Sequence, residues 1–304
     1  MNLKQYHGPS FKARRAVRSK LIKHQNLYSF GKSVHQTYCK ATHFLHMLPN
    51  YLIIGTPRSA STSLYQYLIQ HPCVAPALTK QLHFFDTYFQ KGIEWYKVCL
   101  PYRWSKFYRE KILRTKFVTG EATVHYMMHP LAPKRVFEIV PNIKLIVILR
   151  NPIDRAYSHY QTEFENKNEN LSFEDAIEQE KFRLDGEFEK LEKNENYVSK
   201  DYPHRAYLTS GLYVAQLRRW TKFFNKENFL ILQSENFTKN PSNEFNKVLK
   251  FLNLPSFDLP EYKKFHSRNY KKIDPDTRKK LIEFYIPFNQ QLYELIGQDF
   301  HWDN

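Results

Sequence analysis

The sequence predicts an α/β fold in which helices flank a central parallel sheet. Three short, nearly continuous apolar runs predict strands buried on both faces of such a sheet, at residues 51–55 (YLIIG), 144–150 (KLIVILR) and 229–233 (FLILQ). Apolar residues at helical spacing follow the first run until Pro72 ends the pattern. This order of strand, loop and helix is the arrangement in which a helix N-terminus faces a bound anion.

The chain length of 304 residues suits one large domain with an appended arm. We expect a basic N-terminal arm over residues 1–47 and a single α/β domain over residues 48–304. Residues 160–205 hold a large share of the acidic side chains and predict a charged helical excursion, in which Ser172 caps a helix. The excursion lacks an apolar core of its own, so it is not predicted to be a second domain. Amphipathic spacing predicts a long helix at residues 276–296.

The charge of the chain predicts affinity for anions. Lys and Arg total 46 against 30 Asp and Glu, which gives a formal charge of +16. Nucleotides, acidic glycans, nucleic acid and anionic membranes all remain compatible with that charge. The first acidic residue of the chain is Asp86. An anion site in the N-terminal third is therefore expected.

The cysteines and the apolar runs bear on the compartment. Cys39, Cys73 and Cys99 have neither the spacing of a zinc site nor the even number of a disulfide framework. No apolar run approaches the roughly 18 residues of a membrane span, and no signal peptide is evident. We expect a soluble protein in the cytoplasm. The basic composition of the arm is also typical of transit peptides, so organelle targeting stays an alternative.

The loop after the first strand departs from the ATP-binding pattern. A Walker A loop reads G-x-x-x-x-G-K-[ST], whereas residues 55–62 read GTPRSAST, with Ala60 at the second glycine and Ser61 at the lysine. An ATP kinase is therefore disfavoured. Arg58 and the hydroxyl groups that follow it suit a compact 5′-phosphate or phosphosulfate without an obligatory metal ion. The alternative is a helix start that the hydroxyl groups merely cap.

Three segments together resemble a known family. The loop GTPRSASTSLYQYL, residues 82–96 (LHFFDTYFQKGIEWY) and residues 147–160 (VILRNPIDRAYSHY) have the order and spacing of sulfotransferases that use PAPS, 3′-phosphoadenylyl sulfate. The resemblance covers residues 48–304. It is closest to the carbohydrate type, which includes bacterial homologues and the sulfotransferase domain of heparan sulfate N-deacetylase/N-sulfotransferases. It implies a P-loop-type, three-layer fold.

The resemblance also implies a reaction and its partners. PAPS would donate a sulfuryl group by in-line displacement, with adenosine 3′,5′-bisphosphate (PAP) as product and no required metal ion. The acceptor would be a hydroxyl or amine group of a carbohydrate or of another molecule, and the positive charge of the chain suits an anionic acceptor. Nucleic acid is not expected as a partner, although binding of nucleic acid by the basic arm remains a lesser alternative.

The resemblance assigns donor-binding roles to particular residues. Arg150 and Ser158 would hold the 3′-phosphate, and Arg150 follows a buried strand, where ligands of open α/β sheets gather. A looser match at residues 265–281 implies a loop that closes over the 3′ side. The 5′-phosphosulfate would lie on Arg58, Ser59, Ala60, Ser61, Thr62 and Ser63, and the closing loop would contribute Arg268, Asn269 and Tyr270.

The expected catalytic base is missing. The family usually has a glutamate where this sequence has Gln81, and a carboxamide cannot accept a proton. Arg58 can stabilise the leaving phosphate but cannot be the base. We predict that His83 or Glu121 replaces the glutamate; His83 would point to the same side as Gln81 if the segment is extended.

Two alternatives to that replacement stay open. Asp86, which matches an acidic position in glycan-type relatives, is a further candidate for the base. In the other alternative, Gln81 marks a catalytically impaired homologue that only binds PAPS or glycan. A P-loop nucleotide kinase is a more remote reading of the same loop.

Overall fold

Five parallel strands form the centre of the fold. The computed structural model describes residues 25–263, 265 and 271–303. The strand order is β2-β3-β1-β4-β5, and each neighbouring pair is parallel. The strands are β1 (Tyr51–Gly55), β2 (Val74–Pro76), β3 (Val118–Glu121), β4 (Lys144–Leu149) and β5 (Phe229–Gln233).

The three strands predicted from apolar runs are confirmed, with one correction on burial. Every residue of β1 is buried, and so is β4 after its first residue, whereas most of β5 is half-buried because it lies at the edge of the sheet. The sequence did not reveal β2 and β3. These strands have three and four residues, and Pro76, Gly120 and Glu121 interrupt their apolar character.

Helices cover both faces of the sheet, which confirms the predicted layered α/β architecture. The helix at Pro275–Ile296 includes the whole of the segment predicted to form a long helix. Within the described residues the helices are α1 (Gln25–Thr42), α2 (Ser61–Leu68), α3 (Gly92–Val98), α4 (Arg103–Phe107), α5 (Ala132–Ile139), α6 (Pro152–Glu165), α7 (Phe173–Glu178), α8 (Glu180–Arg183), α9 (Glu187–Lys193), α10 (Tyr202–Arg205), α11 (Tyr213–Trp220), α12 (Ser234–Lys239), α13 (Pro241–Phe251) and α14 (Pro275–Ile296).

The strand side chains alternate between two apolar layers. Leu52 and Ile54 of β1 pack on one face of the sheet in a cluster that includes Trp220 of α11. Ile53 lies on the other face in a cluster with Leu64 of α2. This alternation follows from the two-residue period of a strand, and it buries nearly continuous apolar sequence on both faces.

The structure adds detail to two segments of the predicted domain organisation. Helix α1 lies within the predicted basic arm, residues 1–47, of which residues 1–24 lie outside the described residues. In the charged excursion, Ser172 caps α7 as predicted, by accepting the Asp175 amide at 3.1 Å. Leu191 of the excursion packs in a small cluster with Met128. The excursion therefore buries some of its apolar side chains against the rest of the chain, while Phe182 stays exposed.

Gly120 allows β3 to lie close to β1. A Cβ atom at this position would collide with the backbone oxygen of Tyr51, which a strand cannot move cheaply. We expect Gly120→Ala to lower the free energy of unfolding by about 2 kcal/mol, the usual cost of overpacking. Urea unfolding measures this, with Thr37→Ala at an exposed position of α1 as a control that stays near the parental value. An unchanged midpoint for Gly120→Ala would contradict the close approach.

Candidate active site

The loop between β1 and α2 is fixed to the end of β4. The Thr56 amide donates to the Ile148 carbonyl oxygen at 2.8 Å, and the hydroxyl oxygens of Thr56 and Ser59 lie 2.5 Å apart. Arg58 and Ala60 both have left-handed backbone angles, with φ of 68° and 62°. Such angles favour glycine, which explains why a Walker A loop has glycine where this chain has Ala60.

The N-terminus of α2 leaves backbone donors for a ligand. Its N-cap residue is Ala60, which has no side-chain oxygen and makes no capping hydrogen bond. The alternative that this loop serves only to cap a helix is therefore not supported at the N-cap itself. Unpaired N–H groups in a first helical turn attract anions through their hydrogen bonds and through the helix dipole.

Three predicted donor-binding residues meet beside the loop. Arg58 Nε donates to Ser158 Oγ at 3.1 Å, and Arg150 Nη1 donates to the Arg58 carbonyl oxygen at 3.0 Å. The carbonyl of Arg150 in turn accepts a hydrogen bond from the Tyr213 hydroxyl at 2.8 Å. The loop, the end of β4 and the first turns of α6 thus form one side-chain cluster. Two guanidinium groups in that cluster give it the charge to bind a phosphate.

A cavity of about 530 Å³ opens at this cluster. Its volume lies in the range of small-molecule sites, and it lies at the carboxyl ends of β1 and β4, where open α/β sheets bind ligands. The predicted residues Arg268, Asn269 and Tyr270 lie outside the described residues. All the other predicted donor-binding residues line the cavity: Arg58, Ser59, Ala60, Ser61, Thr62, Ser63, Arg150 and Ser158.

Sequence reasoning missed the opposite wall of this cavity. Part of it comes from α12, which directly follows β5 at the carboxyl edge of the sheet. Because open α/β sheets bind ligands at that edge, the position of this segment after β5 could have indicated it. Phe265, the first residue of the segment predicted to close over the 3′ side, also lines the cavity, and its amide donates to Ser63 Oγ at 3.2 Å. The lining residues that the sequence did not single out are Tyr67, Asp154, Ser234, Glu235, Phe237, Thr238, Lys239, Pro241 and Tyr262.

His83 is held by a carboxylate and by the backbone. Its Nδ1 lies 2.8 Å from Asp86 Oδ2, and its amide donates to Thr123 Oγ1 at 3.2 Å. His83 has a left-handed φ of 53°, so the backbone is not extended there, and the condition under which His83 would point to the same side as Gln81 is not met. Its side chain is 30% exposed, whereas that of Asp86 is 6% exposed. Asp86 therefore orients a ring that remains open to solvent.

The hydrogen bond between His83 and Asp86 stabilises the charged form of each side chain. Burial lowers the pKa of His83, but the hydrogen bond and the charge of Asp86 outweigh it, so the pKa lies above its ordinary value. Burial raises the pKa of Asp86, but its contacts with His83 outweigh that effect and lower it. With Nδ1 bonded to Asp86, the deprotonated ring presents Nε2 as its proton acceptor.

Glu121 lies at the end of β3 and is fully buried. Its Oε2 accepts the Thr123 hydroxyl at 2.6 Å, and its Oε1 accepts the Tyr126 hydroxyl at 2.7 Å. Burial raises the pKa of Glu121 to about 7 despite these two bonds. Both carboxylate oxygens are thus engaged away from solvent. This geometry does not favour the predicted role of Glu121 as the base and suits a positioning role.

Lys80 is a residue that the sequence did not single out. Its Nζ donates to Thr62 Oγ1 at 2.6 Å, so it reaches the wall of the large cavity from the segment that carries His83. Burial lowers the pKa of Lys80 to about 8, although the charge of Glu121 raises it. Lys80 remains mostly protonated at neutral pH. Its neighbour Gln81 is half-buried, and the Gln81 carbonyl accepts the Thr79 hydroxyl at 2.9 Å.

A smaller cavity of about 90 Å³ opens beside His83. His125 lies against His83 with ring centroids 5.5 Å apart, and ligand atoms of His83, Asp86 and His125 lie within 4.8 Å of one another, close enough to hold a metal ion. Leu191 and Tyr197 of the charged excursion form part of the opposite wall. The excursion therefore contributes to the site, which the sequence did not predict.

The sulfotransferase domain model matches residues 48–284 of the chain. The chain belongs to the sulfotransferase domain family. It is similar to mouse heparan sulfate glucosamine 3-O-sulfotransferase 5, with 28% identity over 85% of this chain and 75% of the relative. It is also similar to the membrane-associated sulfotransferase kil1 of Dictyostelium discoideum, with 26% identity over 84% of this chain and 67% of the relative.

A solved structure agrees with this family membership. The sulfotransferase from Alicyclobacillus acidocaldarius superimposes with a TM-score of 0.64 and 26% identity, over 85% of this chain and 100% of that one. The predicted resemblance and the P-loop-type fold are confirmed. This chain is therefore a sulfotransferase enzyme, and neither the nucleotide kinase nor the silent homologue is favoured.

The buried carboxyl group of Glu121 predicts a pH dependence of stability in this sulfotransferase. Its folded pKa of about 7 lies above the ordinary 4.5, so between those values the native state binds the proton more tightly than the unfolded state does. Glu121 should therefore cost about 3 kcal/mol of stability as pH rises through this window. We expect Glu121→Gln to remove that decline. The measurement is urea unfolding from pH 4.5 to pH 8.

The control for this pH dependence is Glu110→Gln at an exposed position. This variant should keep the parental decline, because Glu110 lies on the surface, outside the buried network of Glu121. Parallel pH profiles for Glu121→Gln and the parent would contradict the raised pKa of Glu121.

Proposed function

We propose that this sulfotransferase transfers the sulfuryl group of PAPS to a hydroxyl or amine group on a carbohydrate. The single observation that carries the proposal is the contact of Arg58, Arg150 and Ser158 at one cavity beside an uncapped helix N-terminus. The names of the 3-O-sulfotransferase relatives support a glycan as the acceptor. An acidic glycan would also suit the charge of +16.

The donor is proposed to lie across the large cavity. The first turn of α2 and the hydroxyl groups at residues 59–63 would hold the 5′-phosphosulfate. Arg150 and Ser158 would hold the 3′-phosphate, with Arg58 between the two ends. Phe237, Phe265 and other lining residues supply apolar surface for the adenine ring.

The acceptor is proposed to react beside His83. An acceptor oxygen forms a bond to sulfur while the bond from sulfur to the phosphate oxygen breaks, and PAP leaves with that electron pair. The acceptor proton passes to Nε2 of His83, while Asp86 holds the Nδ1 proton. Lys80, bonded to Thr62 at the cavity wall, stabilises the negative charge that develops on the leaving phosphate.

Two further residues and the small cavity complete the proposal. Glu121 positions the His83 segment through Thr123, whose hydroxyl group donates to Glu121 and accepts the His83 amide. Its full burial keeps Glu121 away from the acceptor. Gln81 would orient the acceptor through its carboxamide. The small cavity beside His83 would admit the reacting group of the acceptor.

Metal independence and a reducing compartment belong to the same proposal. Arg58 and Lys80 supply the positive charge that a metal ion would otherwise provide at the leaving group, so we infer catalysis without a metal ion. Cys39, Cys73 and Cys99 are buried free thiols, which supports a location such as the cytoplasm. Among the described residues, no helix is long and apolar enough to span a membrane.

Loss of the Arg150 guanidinium should weaken donor binding. We expect Arg150→Ala to raise the KM for PAPS roughly tenfold to hundredfold, the effect of losing a charge-assisted hydrogen bond. Ser158→Ala should have a smaller effect in the same direction. The measurement is transfer of labelled sulfate from PAPS to a heparan oligosaccharide in buffer with EDTA. Arg218→Ala, at an exposed position, serves as the control, and an equal KM in Arg150→Ala and in this control would contradict the donor site.

Removal of the base should affect turnover and spare donor binding. We expect His83→Ala to lower kcat about hundredfold to ten-thousandfold with little change in the KM for PAPS. His301, whose side chain is 76% exposed, gives the control variant His301→Ala. Transfer at the parental rate by His83→Ala would exclude His83 as the base.

Two further variants separate the roles of Asp86 and Gln81. Asp86 raises the pKa of His83, so Asp86→Asn should move the acid limb of the kcat/KM profile to lower pH as well as lower kcat. Gln81→Glu should change turnover less than about tenfold if His83 is the base. A much larger gain in turnover would mean that Gln81 impairs the site. The turnover of His83→Ala would then still show whether His83 acts as a base.

A further inference from the structure

A helix on the surface carries large apolar side chains that face solvent. Helix α4 continues through a π-helical turn at Tyr108–Ile112, and no residue of either segment is buried. Trp104 is 68% exposed and Ile112 is 60% exposed. Phe107 stacks on Trp104 with ring centroids 5.4 Å apart. A helix in a water-soluble domain usually turns such side chains toward the core.

The apolar surface continues onto the end of α1. The Tyr38 and Tyr102 hydroxyl oxygens lie 3.2 Å apart, and the His46 and Tyr102 rings lie with centroids 4.1 Å apart. A contiguous exposed apolar surface of this kind marks a site of interaction. We call it the aromatic patch, and it consists of the exposed residues Tyr38, Phe44, Leu45, Tyr102, Trp104, Phe107, Tyr108, Ile112 and Leu113.

Positive charges accompany the aromatic patch. Arg103, Lys111 and Arg114 are exposed within it or beside it, and Lys40 is exposed on α1. Between residues 95 and 120 the single acidic residue is Glu110, which lies 3.8 Å from Lys106. The surface that an occupant would meet therefore combines exposed apolar and cationic side chains.

The aromatic patch lies away from the donor cavity. Arg109 donates to the Pro72 carbonyl just before β2, and the segment leads directly into β3 at Val118. These are the amino ends of the strands, whereas the large cavity, the proposed donor site, lies at the carboxyl ends of β1 and β4. An occupant of the patch would leave that cavity open.

We propose that the aromatic patch docks the enzyme on an anionic lipid bilayer. Trp and Tyr side chains favour the interface between water and lipid, and exposed Arg and Lys side chains favour anionic headgroups. Ile112 and Leu113 distinguish this occupant from a glycan, because a sugar polymer offers no apolar phase in which aliphatic side chains lose contact with water. The docking is peripheral and does not depend on the proposed acceptor.

The test is cosedimentation of the full chain with vesicles of phosphatidylcholine alone or mixed with phosphatidylserine. The wild type should bind the mixed vesicles, and binding should weaken with salt. Lys111→Glu with Arg114→Glu should weaken binding more than about fivefold per residue, the effect expected for one basic side chain near such a surface. Trp104→Ser with Ile112→Ser should weaken it by at least roughly tenfold. The matched controls are Phe182→Ser, at a residue 81% exposed, and Lys222→Glu.

Tryptophan emission adds a readout of insertion. Trp220 and Trp302 are buried and Trp95 is half-buried, so a blue shift on mixed vesicles should come from Trp104 and disappear in Trp104→Phe. Equal binding to neutral vesicles, retention of binding in the patch variants, or no vesicle binding would overturn the proposal. A different result would also overturn it: the wild type binds a heparin oligosaccharide but no vesicles, and the patch variants, unlike the controls, lose the oligosaccharide. That result would identify a glycan-binding surface.

Discussion

The buried carboxyl group of Glu121 anchors the segment that carries His83. Thr123 and Tyr126 donate their hydroxyl hydrogens to that carboxyl group, and the same hydroxyl oxygens accept the amides of residues 82–84. This network fixes the backbone on both sides of His83 from inside the protein. Because a buried carboxylate without those donors would carry a large desolvation penalty, the network and the burial depend on each other.

The parallel sheet brings that network to the donor cavity. The loop after β1, the end of β4 and the end of β3 meet at the same edge of the sheet, so segments far apart in sequence become neighbours. The hydrogen bond from Lys80 to Thr62 joins the segment that carries His83 to the loop after β1. In the proposed mechanism, a cation at that junction would serve the leaving phosphate, and a histidine oriented by Asp86 would serve the acceptor. One edge of the sheet would thus provide both halves of the proposed group transfer.

The sequence predicted the parts of this arrangement that are local. Buried apolar runs predicted β1, β4 and β5, and short motifs singled out Arg58, Arg150 and Ser158, which the fold brings together at one cavity. The strands β2 and β3 were not predicted, because Pro76 and Gly120 interrupt runs of only three or four residues. The contact of Lys80 with Thr62 and the burial of Glu121 could not be predicted, because both depend on pairings between distant segments. The left-handed backbone of His83 likewise follows from its contacts and not from residue type.

The most direct test of the account is a calorimetric titration of the full chain with PAP and with ADP in buffer with EDTA. A cavity with Arg150 and Ser158 at the 3′-phosphate should bind PAP at least about tenfold more tightly than ADP, because the latter leaves both side chains without their anion. Equal affinity for the two nucleotides, or binding that requires added magnesium, would contradict the donor site and with it the proposed use of PAPS.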